Sequence, residues 1–453
     1  MLQSINPATG ESVASYEEMT AAEVEAALAA AERAFGAWRR TSFDERAGLL
    51  TRAGAELRRR KAELARLMAI EMGKPLAQGE SEAEKCAWVC DYYAEHGAAF
   101  LASEDIATDA SRSFVTFQPL GTVLAVMPWN FPLWQVFRFA APTLMAGNAG
   151  LLKHASNVTG SALEIEAIFT AAGAPPGLFT TLRLPSASLA PVIDDGRVAA
   201  VTLTGSTPAG QSIAARAGAV LKKTVLELGG SDPYVLLDDA DLDEAVATCV
   251  ASRLINSGQS CIAAKRFIAT RARAAEVERR FVELMRAKTM GDPLSGVDVG
   301  PQARRDLRDD LHGQVRRSVQ AGARVLLGGE VPSGPGAYYP PTVLTGVTKG
   351  MPAYDEELFG PVAALITADD EADAIRIAND SPFGLGAAVF TRDVARGTAI
   401  AATELEAGAC FVNAFVKSDP RLPFGGIKTS GYGRELGLWG IREFVNVKTV
   451  YVA

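Results

Sequence analysis

Beyond residue 120 the sequence alternates short apolar runs with amphipathic stretches, and this alternation restricts the fold more than any other feature. Runs such as "TVLAVM", "AGLLK" and "VAAVTLTG" are each followed by a helical pattern. Strands of four to eight residues that alternate with helices form a parallel sheet covered on both faces. The alternation resumes after "LELGG", near residue 228, with "RFIAT", "AALIT" and "GAAVFT". The pattern predicts an α/β fold with two parallel-sheet domains.

The remaining segments show other sequence patterns. Residues 19–104 repeat apolar residues at helical spacing and predict long amphipathic helices. "SRSFVTFQPLG" alternates like a strand, and the tail "EFVNVKTVYVA" predicts a final strand. We therefore assign 1–104 with 121–227 to the first domain and 228–429 to the second. Residues 105–120 and 430–453 are assigned to a small β ribbon.

Composition narrows the class of protein and the compartment. The 453 residues are 48% hydrophobic and 22% charged, which is typical of a globular protein. A net charge of -8 argues against a nucleic-acid or anionic-membrane partner. Proline and polar residues interrupt the most apolar region, 121–152, too often for a membrane span. Five cysteines without a C-x-x-C pair, and no secretory pattern, favour free thiols in the cytoplasm.

One cysteine stands in an unusual setting. Cys261 follows "NSGQS" and precedes a short apolar run. A lone cysteine is usually inert packing, so a nucleophile needs an activating base. The chain has three histidines, none in a motif, which gives a Cys–His hydrolase little support. Glu227 in "VLELGGSD" ends an apolar run, where burial would raise its pKa toward that of a general base. A strand-end glutamate paired with a basic residue is the alternative.

Six motifs occur in one order: "MPWNFP", "TGS", "LELGG", "NSGQSC", "EELFGPV" and "PFGGIKTSGYGRE". Together they resemble the aldehyde dehydrogenase superfamily from end to end. The resemblance implies that Cys261 attacks the aldehyde carbon and that hydride passes to a nicotinamide. Glu227 would then activate water against the thioester. Asn130 and the backbone N–H of Cys261 would stabilise the oxyanion, although an asparagine before Pro132 is also a common turn residue.

The resemblance also implies a variant Rossmann cofactor domain, followed by the catalytic domain. There is no G-x-G-x-x-G; instead Gly205 and Ser206 precede a helix N-terminus able to bind pyrophosphate. Ser156 stands where NAD-preferring relatives often carry a glutamate, and it lacks a charge that would repel a 2′-phosphate. We expect NADP as the preferred cofactor, with NAD as the alternative. The implied cofactor-binding residues are Trp129, Lys153, Ser156, Gly205, Ser206, Glu357 and Phe359.

The substrate residues are implied by a narrower resemblance, to bacterial NAD(P)-dependent succinate semialdehyde dehydrogenases. Trp134 and Arg138 are four apart on one helical face. In that group an arginine at this interval binds the distal carboxylate, although a structural salt bridge is the usual role of such a residue. Phe424 is the third implied substrate contact. Some members carry a second arginine where this chain has Ile255, and Lys417, Ser418 or Arg421 could compensate.

The predicted reaction is oxidation of succinate semialdehyde to succinate. Another short or carboxylated aldehyde is the alternative substrate. Two rivals from other classes are a cofactor-independent thiol esterase and a non-catalytic binding protein on the same scaffold. We expect no metal. By resemblance the ribbon pairs subunits, so a homodimer or homotetramer is expected.

Overall fold

The computed structural model describes all 453 residues. The elements of the first half follow the predicted order, with three long helices before the first parallel sheet. They are β1 (Leu2–Ile5), β2 (Ser12–Tyr16), α1 (Ala21–Trp38), α2 (Phe43–Met72), α3 (Leu76–Phe100), β3 (Glu104–Asp105), β4 (Arg112–Pro119), β5 (Thr122–Met127), α4 (Trp134–Met145), β6 (Ala149–His154), α5 (Thr159–Ala171), β7 (Phe179–Thr181), α6 (Ala190–Asp194), β8 (Val198–Thr204), α7 (Thr207–Ala219) and β9 (Lys223–Glu227). Short 3-10 helices cover Ser156–Val158 and Ser186–Ser188.

The second half repeats the strand and helix alternation and ends in a long strand. Its elements are β10 (Pro233–Leu236), α8 (Leu242–Leu254), a 3-10 helix at Ile255–Gly258, β11 (Arg266–Thr270), α9 (Ala274–Arg286), α10 (Arg305–Gln320), β12 (Arg324–Leu327), β13 (Thr342–Thr345), α11 (Pro352–Asp355), β14 (Val362–Ala368), α12 (Glu371–Asn379), β15 (Phe383–Gly384), β16 (Gly386–Phe390), α13 (Val394–Thr403), β17 (Ala409–Val412), β18 (Ile427–Lys428), β19 (Gly431–Tyr432), α14 (Gly437–Arg442) and β20 (Val445–Val452).

The first sheet has six strands in the order β19-β9-β8-β5-β6-β7. All pairs are parallel except that of β19 with β9. Successive residues of a strand face opposite sides, so Val123 and Ala125 pack with α2 to α5 while Leu124 packs with α1, α6 and α7. Burial on both faces explains why its central strands are almost uninterrupted apolar runs.

The second sheet has seven strands in the order β12-β13-β14-β11-β10-β16-β17, and only β12 is antiparallel. Two apolar clusters cover its faces, one with α10 to α13 and the other with α8 and α9. The predicted α/β class with two largely parallel sheets is confirmed. The structure adds an N-terminal hairpin, β1 with β2, that the sequence pattern did not predict.

The ribbon is a three-stranded antiparallel sheet in the order β20-β4-β3. β20 pairs with β4 over its whole length, from Val445 opposite Pro119 to Val452 opposite Arg112. Of the segment 430–453 assigned to the ribbon, only β20 lies in it, because β19 extends the first sheet. The division into domains stays a prediction. No helix is both long and apolar enough to cross a bilayer.

Candidate active site

The loop before Cys261 is held in an unusual backbone conformation. Asn256, Ser257 and Gly258 are three successive left-handed residues, with φ of 53°, 56° and 79°. For residues other than glycine this conformation costs about 1–3 kcal/mol each and persists only where the surroundings enforce it. Here the N–H of Asn256 donates to Gln78 Oε1 at 2.6 Å, and the N–H of Gly300 donates to Ser257 Oγ at 2.9 Å. The "NSGQ" motif is therefore a fixed platform for the cysteine.

Asn130 is tied to the same platform. Its Nδ2 donates to the carbonyl of Gln259 at 3.1 Å, and Asn256 Nδ2 donates to the carbonyl of Asn130 at 2.6 Å. The side chain is buried, and Oδ1 has no hydrogen-bond partner. An amide nitrogen carries two hydrogens, so one remains able to donate to a group beside Cys261.

Cys261 is half-buried, and its sulfur sits in a mixed electrostatic environment. The pKa of its thiol is raised to about 12, chiefly by burial and also by the charges of Glu357 and Glu227. The positive charges of Lys265 and Arg138 act in the opposite direction. Burial dominates, so the thiol is protonated in the resting protein.

Lys265 is a site residue that sequence reasoning missed. Its side chain is fully buried, and its Nζ donates to the carbonyls of Ser260 at 2.9 Å and Cys261 at 2.5 Å. The ammonium also lies 3.2 Å from Glu357 Oε1. The only signal was a lysine inside the apolar run that follows the cysteine. In the structure it fastens the cysteine backbone to the glutamate predicted to bind cofactor.

Glu227 ends β9 and is 2% exposed. Neither of its carboxyl oxygens has a hydrogen-bond partner. Burial raises its pKa well above the usual value, and the nearby Glu435 raises it further, against the positive charges of Arg138 and Arg434. The predicted direction of this shift is confirmed. A buried carboxyl with no hydrogen-bond partner and a raised pKa is a candidate general base.

A cavity of 260 Å³ opens beside Cys261, at the edge where β5, β8 and β9 end. Ligands in parallel α/β folds bind at such carboxyl edges. The cavity brings together residues from five of the six sequence motifs, together with Leu307. It is lined by Pro128, Trp129, Asn130, Thr204, Gly205, Ser206, Leu228, Gly229, Cys261, Leu307, Glu357 and Phe359.

The two glycines after Glu227 are required by close approach. A Cβ on Gly229 would lie 2.5 Å from Glu357 Oε2, and one on Gly230 would lie 2.8 Å from the carbonyl oxygen of Cys261. The N–H of Gly230 also donates to Glu357 Oε1 at 3.1 Å. The cradle between β9 and Glu357 therefore has room for a ligand only because side chains are absent there.

The same edge of the sheet fits a dinucleotide. α7 begins at the cavity, and its N-cap Ser206 makes no side-chain hydrogen bond to the open N–H groups. Lys153, at the end of β6, is buried with its Nζ bonded only to Ser186 Oγ at 2.8 Å, and burial lowers its pKa. Ser156 is half-buried one turn beyond it. These groups suit a pyrophosphate and a ribose.

The cavity wall offers flat surfaces as well. The rings of Trp129 and Phe359 meet edge to face, with centroids 5.7 Å apart. Glu357 presents its carboxylate between them and Gly229. An aromatic ring with a neighbouring ribose hydroxyl would fit this wall.

The implied substrate residues form a packed cluster behind the cysteine. Arg138 forms a buried ion pair with Glu435, donates to Thr204 Oγ1 at 3.3 Å and stacks 4.7 Å above the Phe424 ring. This is the salt bridge left open as the alternative role of Arg138, so its contact with a substrate stays a prediction. Glu435, in "GYGRE", is a second residue that sequence reasoning missed.

Of the three residues suggested as compensating for Ile255, only one points into this cluster. Lys417 and Arg421 are exposed, and Arg421 pairs with Asp419. Ser418 is buried, and its Oγ accepts from Trp134 Nε1 at 3.1 Å. Trp134 is therefore oriented by the segment before "PFGG".

Comparisons with known proteins agree over the whole chain. The model of the aldehyde dehydrogenase family matches residues 1–450. A probable succinate-semialdehyde dehydrogenase [NADP(+)] from Synechocystis is 51% identical over 453 residues, with both chains fully covered. A succinate semialdehyde dehydrogenase [NAD(P)+] from Escherichia coli is 50% identical, with 99% of this chain and 97% of that one covered.

Solved structures agree with these relatives. The crystal structure of succinic semialdehyde dehydrogenase from Streptococcus pyogenes in complex with NADP+ superposes with a TM-score of 0.97 at 38% identity. Both chains are fully covered in that superposition. The cysteine, its platform and the cavity beside it are thus set in a fold shared from end to end, and the chain belongs to the aldehyde dehydrogenase family.

Proposed function

We propose that Cys261 is the nucleophile of an aldehyde oxidation. Its sulfur bonds to the aldehyde carbon and its proton passes to the carboxylate of Glu227, which gives a thiohemiacetal oxyanion. Asn130 Nδ2 and the Cys261 N–H donate to that oxyanion, and such a donor is worth about 10²- to 10³-fold in rate. The observation that carries the proposal is the single cavity lined by Cys261, Asn130, Gly205 and Glu357.

A nicotinamide bound in the cavity would accept the hydride that leaves the carbonyl carbon when the oxyanion collapses to a thioester. Trp129, Gly205, Ser206, Glu357 and Phe359, which line the cavity, would hold the cofactor. Glu227, after releasing the thiol proton to solvent, takes a proton from water, and the hydroxide attacks the thioester carbon. The carbon–sulfur bond breaks, and the acid and the thiol are released. Cys261 and Asn130 stabilise both tetrahedral species through the same donors.

Succinate semialdehyde is the proposed substrate. The relatives at about 50% identity carry that name. Cys261 packs against the apolar cluster that contains Trp134, and the buried Arg138 is on the same helix, which suits a short chain with a distal carboxylate. Another short or carboxylated aldehyde is the second candidate, because Glu435 already neutralises Arg138.

An aldehyde panel tests both proposals. Succinate semialdehyde, butanal and acetaldehyde are assayed with NADP and with NAD, following the absorbance of the reduced nicotinamide. We expect the highest kcat/KM for succinate semialdehyde, and no reduction in the Cys261→Ala protein. If the Cys261→Ala protein reduced the nicotinamide at the wild-type rate when given aldehyde, Cys261 would not be the nucleophile. Ester hydrolysis without any reduction by the wild type would favour the thiol esterase.

We propose NADP as the preferred cofactor. Lys153 has no acidic group close enough to affect its pKa, so a 2′-phosphate there meets a cation and no anion. In Ser156→Glu the new carboxylate repels that phosphate, and we expect kcat/KM for NADP to fall about 100-fold relative to NAD. Equal loss with both cofactors would show that residue 156 does not contact the phosphate.

We further propose a cytoplasmic homodimer or homotetramer assembled through the ribbon. β20 is an edge strand, and Val447 and Tyr451 on it are 61% and 54% exposed. Unpaired edges with apolar side chains favour pairing with another chain. The five free thiols suit a reducing compartment. Light scattering after gel filtration measures the subunit number, and a monomer would contradict the assembly.

A further inference from the structure

Lys85 makes no ion pair, unlike three of the molecule's buried cations. Lys74 pairs with Glu82, Lys265 with Glu357 and Arg138 with Glu435, so each of those three has a carboxylate partner. Lys85, on α3, is half-buried, and its Nζ has no carboxylate within 4.0 Å. A partly buried cation without a counter-charge is able to pair with an anion that arrives from solvent.

The surroundings of Lys85 are preorganised. Its Nζ donates to Ser418 Oγ at 2.8 Å and lies 4.2 Å from the centroid of the Trp134 ring. Ser418 Oγ also accepts from Trp134 Nε1. One serine thus fixes both the ammonium and the indole, and an ammonium has two further hydrogens to donate.

Lys85 belongs to the same charged region as the nucleophile. Arg138 follows Trp134 by one helical turn, and its charge lowers both the pKa of Lys85 and the pKa of Cys261. Arg138 is already neutralised by Glu435, whereas Lys85 is not. Of these two cations, Lys85 is therefore the one left without a carboxylate partner.

We propose that Lys85 is a specificity-determining residue whose ammonium binds the distal carboxylate of the aldehyde substrate, with Ser418 and Trp134 orienting it. The inference rests on the proposed aldehyde oxidation and identifies its substrate class as short aldehydes that end in a carboxylate. Lys85 touches the substrate and takes no part in bond making. Its contribution is therefore to KM more than to kcat.

The test is Lys85→Met, which keeps an unbranched stem and removes the charge. We expect KM for succinate semialdehyde to rise about 10- to 100-fold, the range of a lost charge-assisted hydrogen bond, with kcat within about threefold. The ratio of kcat/KM for succinate semialdehyde to that for butanal falls by the same factor. Lys85→Arg keeps the cation and should restore most of the ratio.

Lys61→Met is the matched control, because Lys61 is exposed on α2 and makes no hydrogen bond or ion pair. Its substrate ratio should equal that of the wild type. If the wild type itself does not prefer succinate semialdehyde to butanal, both the proposed substrate and the proposed role of Lys85 are wrong. If the wild type has the preference and Lys85→Met retains it, the proposed role of Lys85 is overturned while the proposed function stands.

A pH profile of the wild type provides a second measurement that needs no variant. Burial and Arg138 lower the pKa of Lys85 to about 8, against smaller opposite effects from the acidic groups that face it, which are Cys86, Glu82 and Asp419. Lys85 therefore loses its charge as pH rises through about 8. KM for succinate semialdehyde should then rise relative to KM for butanal. A ratio that stays constant from pH 7 to pH 9.5 would overturn the inference, even if Lys85→Met does not fold.

Discussion

The two sides of the site around Cys261 differ in whether main-chain or side-chain atoms form the wall. On the side proposed to bind the cofactor the wall is largely main chain: the glycines after Glu227, the turn at Gly205 and the start of α7 adjoin a cavity of 260 Å³. On the side proposed to bind the substrate the wall is formed by side chains, with a buried ion pair and aromatic rings. Each segment of the first side is a short contiguous motif, whereas the second side depends on pairs of side chains from distant segments.

The two walls should also respond differently to substitution, one in ligand binding and the other in the stability of the fold. A main-chain cradle leaves room for a ligand and contributes little to the core. A buried ion pair leaves an uncompensated charge when either partner is removed. Substitutions on the substrate side should therefore destabilise the fold, and those on the cofactor side should weaken the cofactor while the fold persists.

The largest effect is expected from Glu435→Ala. It leaves Arg138 buried without its carboxylate, and the free energy of unfolding should fall by about 3–5 kcal/mol. Glu104→Ala is the control, because it breaks the more exposed pair with Arg442 and should cost at most about 1 kcal/mol. Denaturant unfolding monitored by circular dichroism measures both. If both variants lost the same free energy of unfolding, the ion pair of Arg138 with Glu435 would contribute no more to stability than an exposed pair.

Gly229→Ala should have a smaller effect of a different kind. The new Cβ meets Glu357 Oε2, the end of a flexible side chain, so the carboxylate moves away from the cavity wall. We expect KM for NADP to rise about tenfold, since roughly one charge-assisted contact is lost, with little change in unfolding free energy. Gly36→Ala on α1 has open space around the new methyl and should leave KM unaltered. A large loss of stability in Gly229→Ala would show that the cradle also supports the core.

The smallest effect is expected from pH, measured with butanal so that Lys85 is not involved. The pKa of Cys261 is raised to about 12, chiefly by burial, so its thiol is protonated in the resting protein at neutral pH. The proposed reaction needs the thiolate, so kcat/KM should rise with pH from 7 to 8, by at most about tenfold for one proton. A flat profile between pH 6 and pH 9 would mean that another group controls the nucleophile.

The same contrast explains what the sequence could predict. The alternation of apolar runs and helices predicted both parallel sheets, because strands buried on two faces leave a local signal. The antiparallel pairings of β12 and β19 and the hairpin of β1 with β2 were not predicted, since pairing depends on tertiary context. Residues of the main-chain wall, such as Gly205, were predicted because their motifs are contiguous.

The side-chain wall could not be predicted as well. Lys85 and Ser418 are 333 positions apart, and no pattern within α3 distinguishes this lysine from the solvated ones around it. Glu435 was visible in a motif, but its pairing with Arg138 was not. Lys265 appeared to be an ordinary lysine at the start of a strand. Each acquires its role only when the chain brings distant segments together.

The protonated state of Cys261 affects how the protein withstands oxidants. Peroxides react with thiolates and hardly at all with thiols, and a burial-raised pKa near 12 leaves almost no thiolate at rest. The sulfur proposed as the nucleophile therefore reacts slowly with oxidants while the thiol is at rest. On that proposal, aldehyde oxidation is protected from the loss of Cys261 to sulfenic acid.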